Sequence, residues 1–315
     1  MRNRLRIAGV VLAVVVLIGG IYFGVNCARF DQESSELTDA VRRQAGGSFI
    51  HLADGYTHYH LAGPEHGRTV VLVHGFSVPY YLWDQTFDPL VQAGFRVLRY
   101  DEYGRGLSDR PNVSYNPNLY DRQLVQLLDA LQITEPVDLV GASMGGPIVV
   151  TFADRHWGRV RTISLFDPAY GTGFLPPWPL RWPLVGEYVM CVKIAPILSA
   201  SQKDDFVHPE RFPDYFPKYA EQMRYRGFRR SVLSTILDFL SQDNTQAFAR
   251  VGRSGKPAFL VWGKKDEDMP FAVSQDVLRA LPQAEFLPMD DAAHVGFYEH
   301  PEVVNPALIE FLRKH

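Results

Sequence analysis

The stretch Val137-Asp138-Leu139-Val140-Gly141-Ala142-Ser143-Met144-Gly145-Gly146 decides the fold of this chain. Val137–Val140 predicts a short buried strand, and Pro147–Asp154 predicts a helix. Between them, Gly141–Gly145 places Ser143 on a sharp strand-to-helix turn, with a small residue two positions before it and another two positions after it. A chance match to this pentapeptide is expected in roughly one chain in ten of this size. Its position directly after a buried strand is what makes Ser143 a candidate nucleophile.

Strands and helices alternate on both sides of this turn. The sequence upstream predicts a hairpin around Asp54-Gly55, two further strands and an amphipathic helix ending near Leu131. The predicted strands are Ser48–Leu52, Tyr56–Leu61, Thr69–Val73, Phe95–Tyr100, Val137–Val140, Thr162–Phe166, Ala258–Trp262 and Glu285–Pro288, with a last helix at Val303–Leu312. Such alternation predicts an α/β fold, with a mostly parallel central sheet and helices on both faces.

The alternation breaks between residues 170 and 253. This segment is rich in proline and aromatic residues, as in Phe174-Leu175-Pro176-Pro177-Trp178-Pro179. Because it follows the sixth predicted strand, we expect a helical cap inserted between two parts of a core, residues 48–169 and 254–315. Phe174, Leu175 and Trp178 are candidate substrate-binding residues; the alternatives are that they form the interior of the cap or contact lipid.

The N-terminal segment predicts a membrane anchor. Three arginines among residues 1–6 precede an uncharged run of 19 residues, 7–25, which as a helix would span about 28 Å. Basic residues before the run and acidic residues in the following linker, 26–47, place the N-terminus in the cytoplasm and the remaining chain across the membrane. The alternatives are a cleaved signal peptide, which would make the protein secreted, and a lipid-modified Cys27.

Composition limits the possible partners. The chain has 32 basic and 35 acidic side chains, a formal net charge of -3, and 46% apolar residues. This near balance argues against a nucleic-acid partner. The two cysteines, Cys27 and Cys191, match neither a metal-ligand pattern nor a disulfide framework. We expect no metal and no cofactor.

A serine hydroxyl becomes a useful nucleophile only when a base takes its proton and a carboxylate orients that base. His294 is the candidate base, because it lies in a loop between the last predicted strand and the last helix; His300, beside Pro301, is the alternative. Asp266 is the candidate acid, because it follows the strand that ends at Trp262. Asp167, Glu267 and Asp268 are the alternative acids.

Acyl transfer also needs hydrogen-bond donors directed at the developing oxyanion. The backbone N–H of Met144, directly after the serine, is one candidate. The other is the N–H of Phe76, in the loop after Thr69–Val73. We expect the ring of His74 to brace this loop and to take no part in proton transfer.

Five motifs in order resemble those of α/β-hydrolases. They are His74-Gly75-Phe76, Asp101–Ser108, Gly141–Gly145, Trp262–Asp266 and His294. The anchor together with His-Gly-Phe-Ser and Gly-Ala-Ser-Met-Gly-Gly looks most like membrane-anchored monoacylglycerol lipases and related carboxylesterases. The resemblance implies an α/β-hydrolase fold and assigns the run Asp101–Ser108 to the architecture of the domain.

The resemblance also implies a reaction. Relatives that resemble haloalkane dehalogenases and epoxide hydrolases carry aspartate at the turn, so Ser143 favours cleavage of an ester, thioester or amide through an acyl-serine. The anchor and apolar cap favour a small-molecule lipophilic ester such as an acylglycerol. One alternative is a carbon–carbon bond hydrolase, although those usually have asparagine at Ala142 and Gly-Pro-Gly at Phe76–Val78. Another is a non-catalytic ligand-binding protein.

Overall fold

The protein is described by a computed structural model that covers residues 2–171 and 173–315. Met1, in the predicted cytoplasmic N-terminus, and Thr172, in the predicted cap, lie outside the described residues. Eight strands form one sheet: β1 (Ser48–Leu52), β2 (Gly55–Ala62), β3 (Thr69–Val73), β4 (Arg96–Tyr100), β5 (Val137–Ala142), β6 (Val160–Phe166), β7 (Ala258–Gly263) and β8 (Ala284–Met289).

The strand order in the sheet is β1-β2-β4-β3-β5-β6-β7-β8. The first two strands form an antiparallel hairpin and β2 pairs antiparallel with β4, whereas every later pairing is parallel. The mostly parallel sheet predicted from the alternating pattern is confirmed. Since β5 lies in the middle, the turn that follows it is placed at the centre of the sheet's carboxyl edge.

Helices cover both faces of this sheet. The helices of the described residues are α1 (Arg2–Phe30), α2 (Asp39–Gln44), α3 (Asp84–Gln92), α4 (Pro117–Ala130), α5 (Gly145–Arg155), α6 (Pro183–Val189), α7 (Ala195–Ser201), α8 (Tyr215–Met223), α9 (Phe228–Asp238), α10 (Thr245–Arg253), α11 (Ser274–Ala280), α12 (Gly296–Glu299) and α13 (Pro301–Lys314). One face packs against α3, α12 and α13, and the other against α4, α5, α10 and α11.

The central strands are apolar because both of their faces are covered. All side chains of β3, β5 and β7 are buried. Asp138 is the polar exception in β5, and its carboxylate accepts hydrogen bonds from Arg68 at 2.6 and 2.8 Å and from the Thr162 hydroxyl at 2.7 Å. A buried charge is tolerated when it is paired and hydrogen-bonded in this way.

The cap follows β6, as predicted, but ends earlier than the pattern indicated. Helices α6 to α9 form it, whereas α10 packs on α5 and α11 of the core. Phe248 and Val251 of α10 are buried in the core cluster on that face. The expected boundary at residue 253 was therefore wrong by one helix, because an amphipathic core helix directly after the cap cannot be distinguished from a cap helix by composition.

Two helical segments of the described residues are long and apolar enough to cross a membrane by length and composition, Arg6–Phe30 and Pro183–Ser201. The first belongs to α1, whose 29 residues span about 44 Å. The second lies in the cap, where α6 and α7 are joined by a π-helical turn and partly packed against α9.

The last turns of α1 and the chain that follows it pack against the cap. The Phe23 ring stacks on Tyr188 of the cap with centroids 4.7 Å apart. The Glu33 carboxylate accepts hydrogen bonds from the backbone N–H groups of Gly227, at 3.2 Å, and Arg229, at 2.7 Å. Residues 26–47, predicted as a linker, therefore contain the end of α1 and the short helix α2 and are tied to the cap through their acidic side chains.

Candidate active site

The turn after β5 holds Ser143 in a strained backbone conformation. Its φ is +50°, a left-handed value that is uncommon for residues other than glycine and that clusters at functional sites. The Ser143 N–H donates to the Phe166 carbonyl at 2.9 Å. A Cβ on Gly141 would lie 2.4 Å from the Gly145 carbonyl oxygen, and one on Gly145 would lie 2.3 Å from that of Val73. The two glycines are therefore required by the close approach of backbone on either side of the serine.

His294 and Asp266 form a buried pair at the same edge of the sheet. His294 Nδ1 lies 2.8 Å from Asp266 Oδ2. The other carboxylate oxygen, Oδ1, accepts the backbone N–H groups of Asp268 at 2.9 Å and Met269 at 2.8 Å. These bonds fix the carboxylate, which in turn fixes the imidazole with Nε2 as its remaining nitrogen.

The electrostatic surroundings of His294 favour its protonated form. Burial acts to lower the pKa of His294, but the bonded Asp266 carboxylate and the charges of Asp205 and Asp167 outweigh burial and raise the pKa above its usual value. A base with a raised pKa is a stronger proton acceptor once it is neutral.

Asp167, the alternative acid at the end of β6, occupies a different position. Its Oδ1 accepts the Gly263 N–H at 2.7 Å, and its Oδ2 is buried without a hydrogen-bond partner. Burial and the neighbouring Asp266 charge hold the pKa of Asp167 well above its ordinary value. The structure thus pairs the imidazole with Asp266 and keeps Asp167 beside that pair, with no bond to the ring.

The two candidate oxyanion donors flank the serine. Met144 precedes the first turn of α5, where the backbone N–H groups of a helix are free. Phe76 lines the cavity that contains Ser143. In residues 2–171 and 173–315, neither the Phe76 nor the Met144 N–H donates a hydrogen bond within the protein.

Arg105 holds the Phe76 loop, a contact that sequence reasoning missed. Its Nε donates to the Phe76 carbonyl at 2.6 Å. The two terminal nitrogens donate to the hydroxyls of Ser231, at 3.1 Å, and Thr235, at 3.0 Å, on cap helix α9. The resemblance assigned the run Asp101–Ser108 to the architecture of the domain and gave Arg105 no role of its own. No local pattern in the sequence indicates a contact between residues 29 positions apart.

The remaining histidines near the site are held in other roles. Burial lowers the pKa of His74 to about 4, and its Nε2 accepts the Glu102 N–H at 2.8 Å while Nδ1 donates to the Gly75 carbonyl at 2.9 Å. This neutral ring braces the loop. His300 bonds through Nε2 to the Asp291 carbonyl at 2.7 Å, at the start of α13.

Two cavities meet at Ser143 and His294, and both are also lined by Phe76 and Asp268. We call the larger one, about 510 Å³, the apolar branch; its apolar lining includes Met144, Pro147, Phe174, Phe239, Leu240 and Met269. We call the smaller one, about 260 Å³, the acidic branch; its polar lining outside the shared residues includes Ser77, Ser201, Gln202, Asp204 and Asp205. Together they have a size typical of ligand pockets.

The three cap residues predicted to bind substrate, Phe174, Leu175 and Trp178, occupy different positions in the structure. Phe174 lines the apolar branch although its side chain is 53% exposed. Leu175 and Trp178 are 79% and 67% exposed and line neither branch. Assigning these two to substrate binding was therefore wrong, because the proline-rich segment that carries them runs along the outside of the cap.

A serine on a strained strand-to-helix turn, a buried His–Asp pair and a cap over the carboxyl edge of a mostly parallel sheet define an α/β hydrolase. The chain belongs to the Alpha/beta hydrolase family, whose model matches residues 70–307.

Known relatives within this family differ in the bond that they cleave. The chain is 27% identical over 288 residues to a 2-hydroxy-6-oxononadienedioate/2-hydroxy-6-oxononatrienedioate hydrolase of Cupriavidus pinatubonensis, covering 85% of this chain and 96% of that protein. It is 26% identical over 242 residues to Lipase 3 of Moraxella sp., covering 74% and 73%. The enol-lactonase of Burkholderia xenovorans shares the fold, with a TM-score of 0.72 at 22% identity over 84% of this chain and 100% of that one. These likenesses establish a hydrolase family and leave the substrate open.

Proposed function

We propose that this protein is a serine hydrolase that cleaves carboxylic esters through an acyl-serine intermediate. The observation that carries the proposal is the pair formed by His294 Nδ1 and Asp266 Oδ2, 2.8 Å apart, in a cavity that also contains Ser143. A base oriented by a carboxylate and adjoining a serine hydroxyl is the arrangement that activates a nucleophile.

In the proposed reaction, the Ser143 hydroxyl attacks the ester carbonyl carbon while His294 Nε2 takes the hydroxyl proton. The Asp266 carboxylate holds Nδ1–H and stabilises the imidazolium. The N–H groups of Phe76 and Met144 bind the negative oxygen that develops. His294 then gives its proton to the departing alcohol. Water next attacks the acyl carbon while His294 takes its proton, and His294 returns that proton to the Ser143 oxygen as the acid leaves.

We further propose a lipophilic ester as substrate. The apolar branch supports this, because its lining of Met144, Phe239, Leu240 and Met269 can remove a hydrocarbon chain from water. Lipase 3 of Moraxella sp. is consistent with this class of substrate.

A carbon–carbon bond hydrolase is the second candidate, and the Cupriavidus relative favours it. The substrate in that relative's name is a dioate, which carries two carboxylates. The charges of Asp204 and the shared Asp268, which line the acidic branch, would repel such a dianion. We therefore favour the ester.

The decisive experiment treats the purified protein with a fluorophosphonate probe and assays p-nitrophenyl esters. We expect labelling and hydrolysis, with Ser143→Ala lowering hydrolysis by at least about 10³-fold and abolishing labelling. Ser114→Ala, which changes a surface serine, is the matched control. Failure of the probe to label, or labelling that survives Ser143→Ala, would contradict the enzyme and favour a ligand-binding protein. Turnover of a 2-hydroxy-6-oxodienedioate in preference to esters would favour the second candidate.

We also propose that residues 7–25 anchor the protein in a membrane, with the N-terminus cytoplasmic and the catalytic domain on the other side. The length of α1 and its exposed apolar side chains support this. Leu175, Trp178 and Leu184, exposed on the cap against which α1 packs, would then contact the headgroup region. Retention of the full-length chain in membranes after an alkaline wash is the expected result. A mature N-terminus near Cys27 would instead indicate cleavage and secretion.

A further inference from the structure

The two cysteines of the chain meet where α1 packs against the cap. Cys27 lies in the last turns of α1, and Cys191 lies in the π-helical turn Met190–Ile194 between α6 and α7. Although 164 positions separate them in sequence, the Cys191 S–H donates to the Cys27 carbonyl at 3.4 Å. Burial and a hydrogen bond with the Cys27 side chain raise the pKa of Cys191 to about 11. The two side chains are therefore in contact, and both thiols are free.

Contacts on either side of the cysteines hold the two segments together. About one turn before the cysteines, the Phe23 ring stacks on Tyr188 with centroids 4.7 Å apart. After α1, the Glu33 carboxylate accepts the backbone N–H groups of Gly227 and Arg229. The thiols adjoin each other as a result of this packing, which the spacing of the cysteines in the sequence did not indicate.

The Arg229 guanidinium belongs to the same cluster. Its Nη1 lies 2.9 Å from Cys191 Sγ and 3.2 Å from Asp31 Oδ1. A neighbouring cation favours the thiolate, but burial opposes it and the pKa of Cys191 is raised overall. A disulfide is easily reduced when the thiolate that it releases is stabilised, and this thiolate is not. The pair is therefore suited to a lasting structural link and not to catalytic exchange.

We propose that Cys27 and Cys191 form an intramolecular disulfide that joins α1 covalently to the cap. The link does not depend on the ester hydrolase function. In the topology proposed above, both cysteines lie beyond the anchor on the extracytoplasmic side of the membrane, where protein disulfides form and persist.

The disulfide forms by exchange with an oxidant that itself contains a disulfide, such as oxidised glutathione. Cys27 is partly exposed whereas Cys191 is buried, so the oxidant reaches Cys27 first. The Cys27 thiolate attacks one sulfur of the oxidant, which forms a mixed disulfide and releases one thiol. The Cys191 thiolate then attacks Cys27 Sγ and releases the second thiol. The two cysteines lose two electrons and two protons, which the oxidant carries away as two thiols.

The test counts free thiols in the full-length protein. The purified protein is incubated with excess oxidised glutathione, denatured and treated with N-ethylmaleimide, with and without prior reduction. We expect no maleimide adduct before reduction and two after it, and an oxidised chain about 2 Da lighter than the reduced one. Two free thiols, or glutathione on either cysteine in place of the internal link, would overturn the proposal. A Cys27 that stays blocked after reduction would identify lipid modification and would overturn it as well.

A displaced thiol provides the matched control. Cys27→Ser combined with Ala28→Cys keeps two cysteines in the chain but rotates one thiol by about 100° around α1. We expect no internal disulfide in this variant under the conditions that oxidise the unaltered protein. Equal pairing in both proteins would show that the two segments find each other through motion, and would overturn a site fixed by packing.

Thermal unfolding supplies an independent readout. A disulfide that closes so long a loop restricts the unfolded chain, so the oxidised protein should have a Tm about 5 °C or more above that of the reduced protein. Cys191→Ser should unfold at the same temperature with and without reductant. An oxidised protein whose Tm is no higher than that of the reduced protein would overturn the disulfide as a structural link.

Discussion

The core and the cap of this protein contribute different polar groups to the cavity that contains Ser143. At the carboxyl edge of the sheet, the Asp266 carboxylate has both oxygens bonded and the ring of His74 has both nitrogens bonded. In the cap, Gln202 Oε1 has no partner and the carboxylate of Asp205 makes no salt bridge in the described part of the chain. The difference teaches where each task lies: the core fixes the His294–Asp266 pair through bonds on every side, whereas the cap lines the cavity without bonding that pair.

The largest expected effect tests whether the chemistry belongs to the core alone. Asp266→Asn should lower kcat/KM for a p-nitrophenyl ester by about 10⁴-fold, because the amide no longer stabilises the imidazolium. Asp167→Asn is the matched control: the Asp167 carboxyl does not bond the imidazole, and an amide oxygen can still accept the Gly263 N–H. The control should cost less than about tenfold. A larger loss from Asp167→Asn than from Asp266→Asn would reassign the acid.

A second prediction concerns the contact that crosses between the two regions. Arg105→Lys keeps the charge but cannot bond Phe76, Ser231 and Thr235 together, so the oxyanion donor at Phe76 should lose its fixed position. We expect kcat to fall by about 10- to 100-fold with little change in KM. Steady-state kinetics together with thermal unfolding check this. A change confined to KM or to stability would show that Arg105 only holds the cap.

A third prediction addresses selectivity in the apolar branch. Phe239→Ala removes an aromatic wall, so the kcat/KM ratio of octanoyl to acetyl p-nitrophenyl esters should fall by about tenfold. Leu175→Ala, on the outer surface of the cap, should leave this ratio as it is. Equal ratios in the two variants would place the hydrocarbon chain elsewhere.

The smallest expected effect is a shift in the pH dependence of kcat/KM, because a carboxylate of the cap, Asp205, affects the pKa of His294 in the core. His294 must be neutral to accept a proton, and its pKa is raised, so kcat/KM should rise with pH through a range above that of ordinary histidine. The charge of Asp205 contributes to that rise in pKa. Asp205→Asn should therefore lower the pKa of His294 and move the rising limb to lower pH, increasing activity a few-fold below the limb. Profiles for a neutral ester with and without this substitution check the sign.

Sequence patterns predicted the core because its features are local. Val137–Val140 is followed at once by the serine turn, and Asp266 and His294 each follow a strand, so alternation alone brings them to one edge of the sheet. The structure adds the 2.8 Å bond between Asp266 and His294, which separates Asp266 from the neighbouring Asp167.

The cap was harder to predict because its contacts are not local. Composition located the insertion after β6, yet it could not tell that Leu175 and Trp178 face outwards or that α10 belongs to the core. Arg105 bonds residues more than a hundred positions away in sequence, and the periodicity of apolar residues cannot predict such a pairing. The acidic branch likewise forms only when the segment around Gln202 folds against Asp268.

The left-handed backbone of Ser143 has a consequence for the evolution of this position. A side chain branched at Cβ is disfavoured at a φ of +50°, so the backbone selects against threonine although threonine offers the same hydroxyl. Aspartate and asparagine adopt that conformation far more readily. The turn thus accommodates serine and aspartate alike, and an exchange between these two nucleophiles requires no change in the path of the chain.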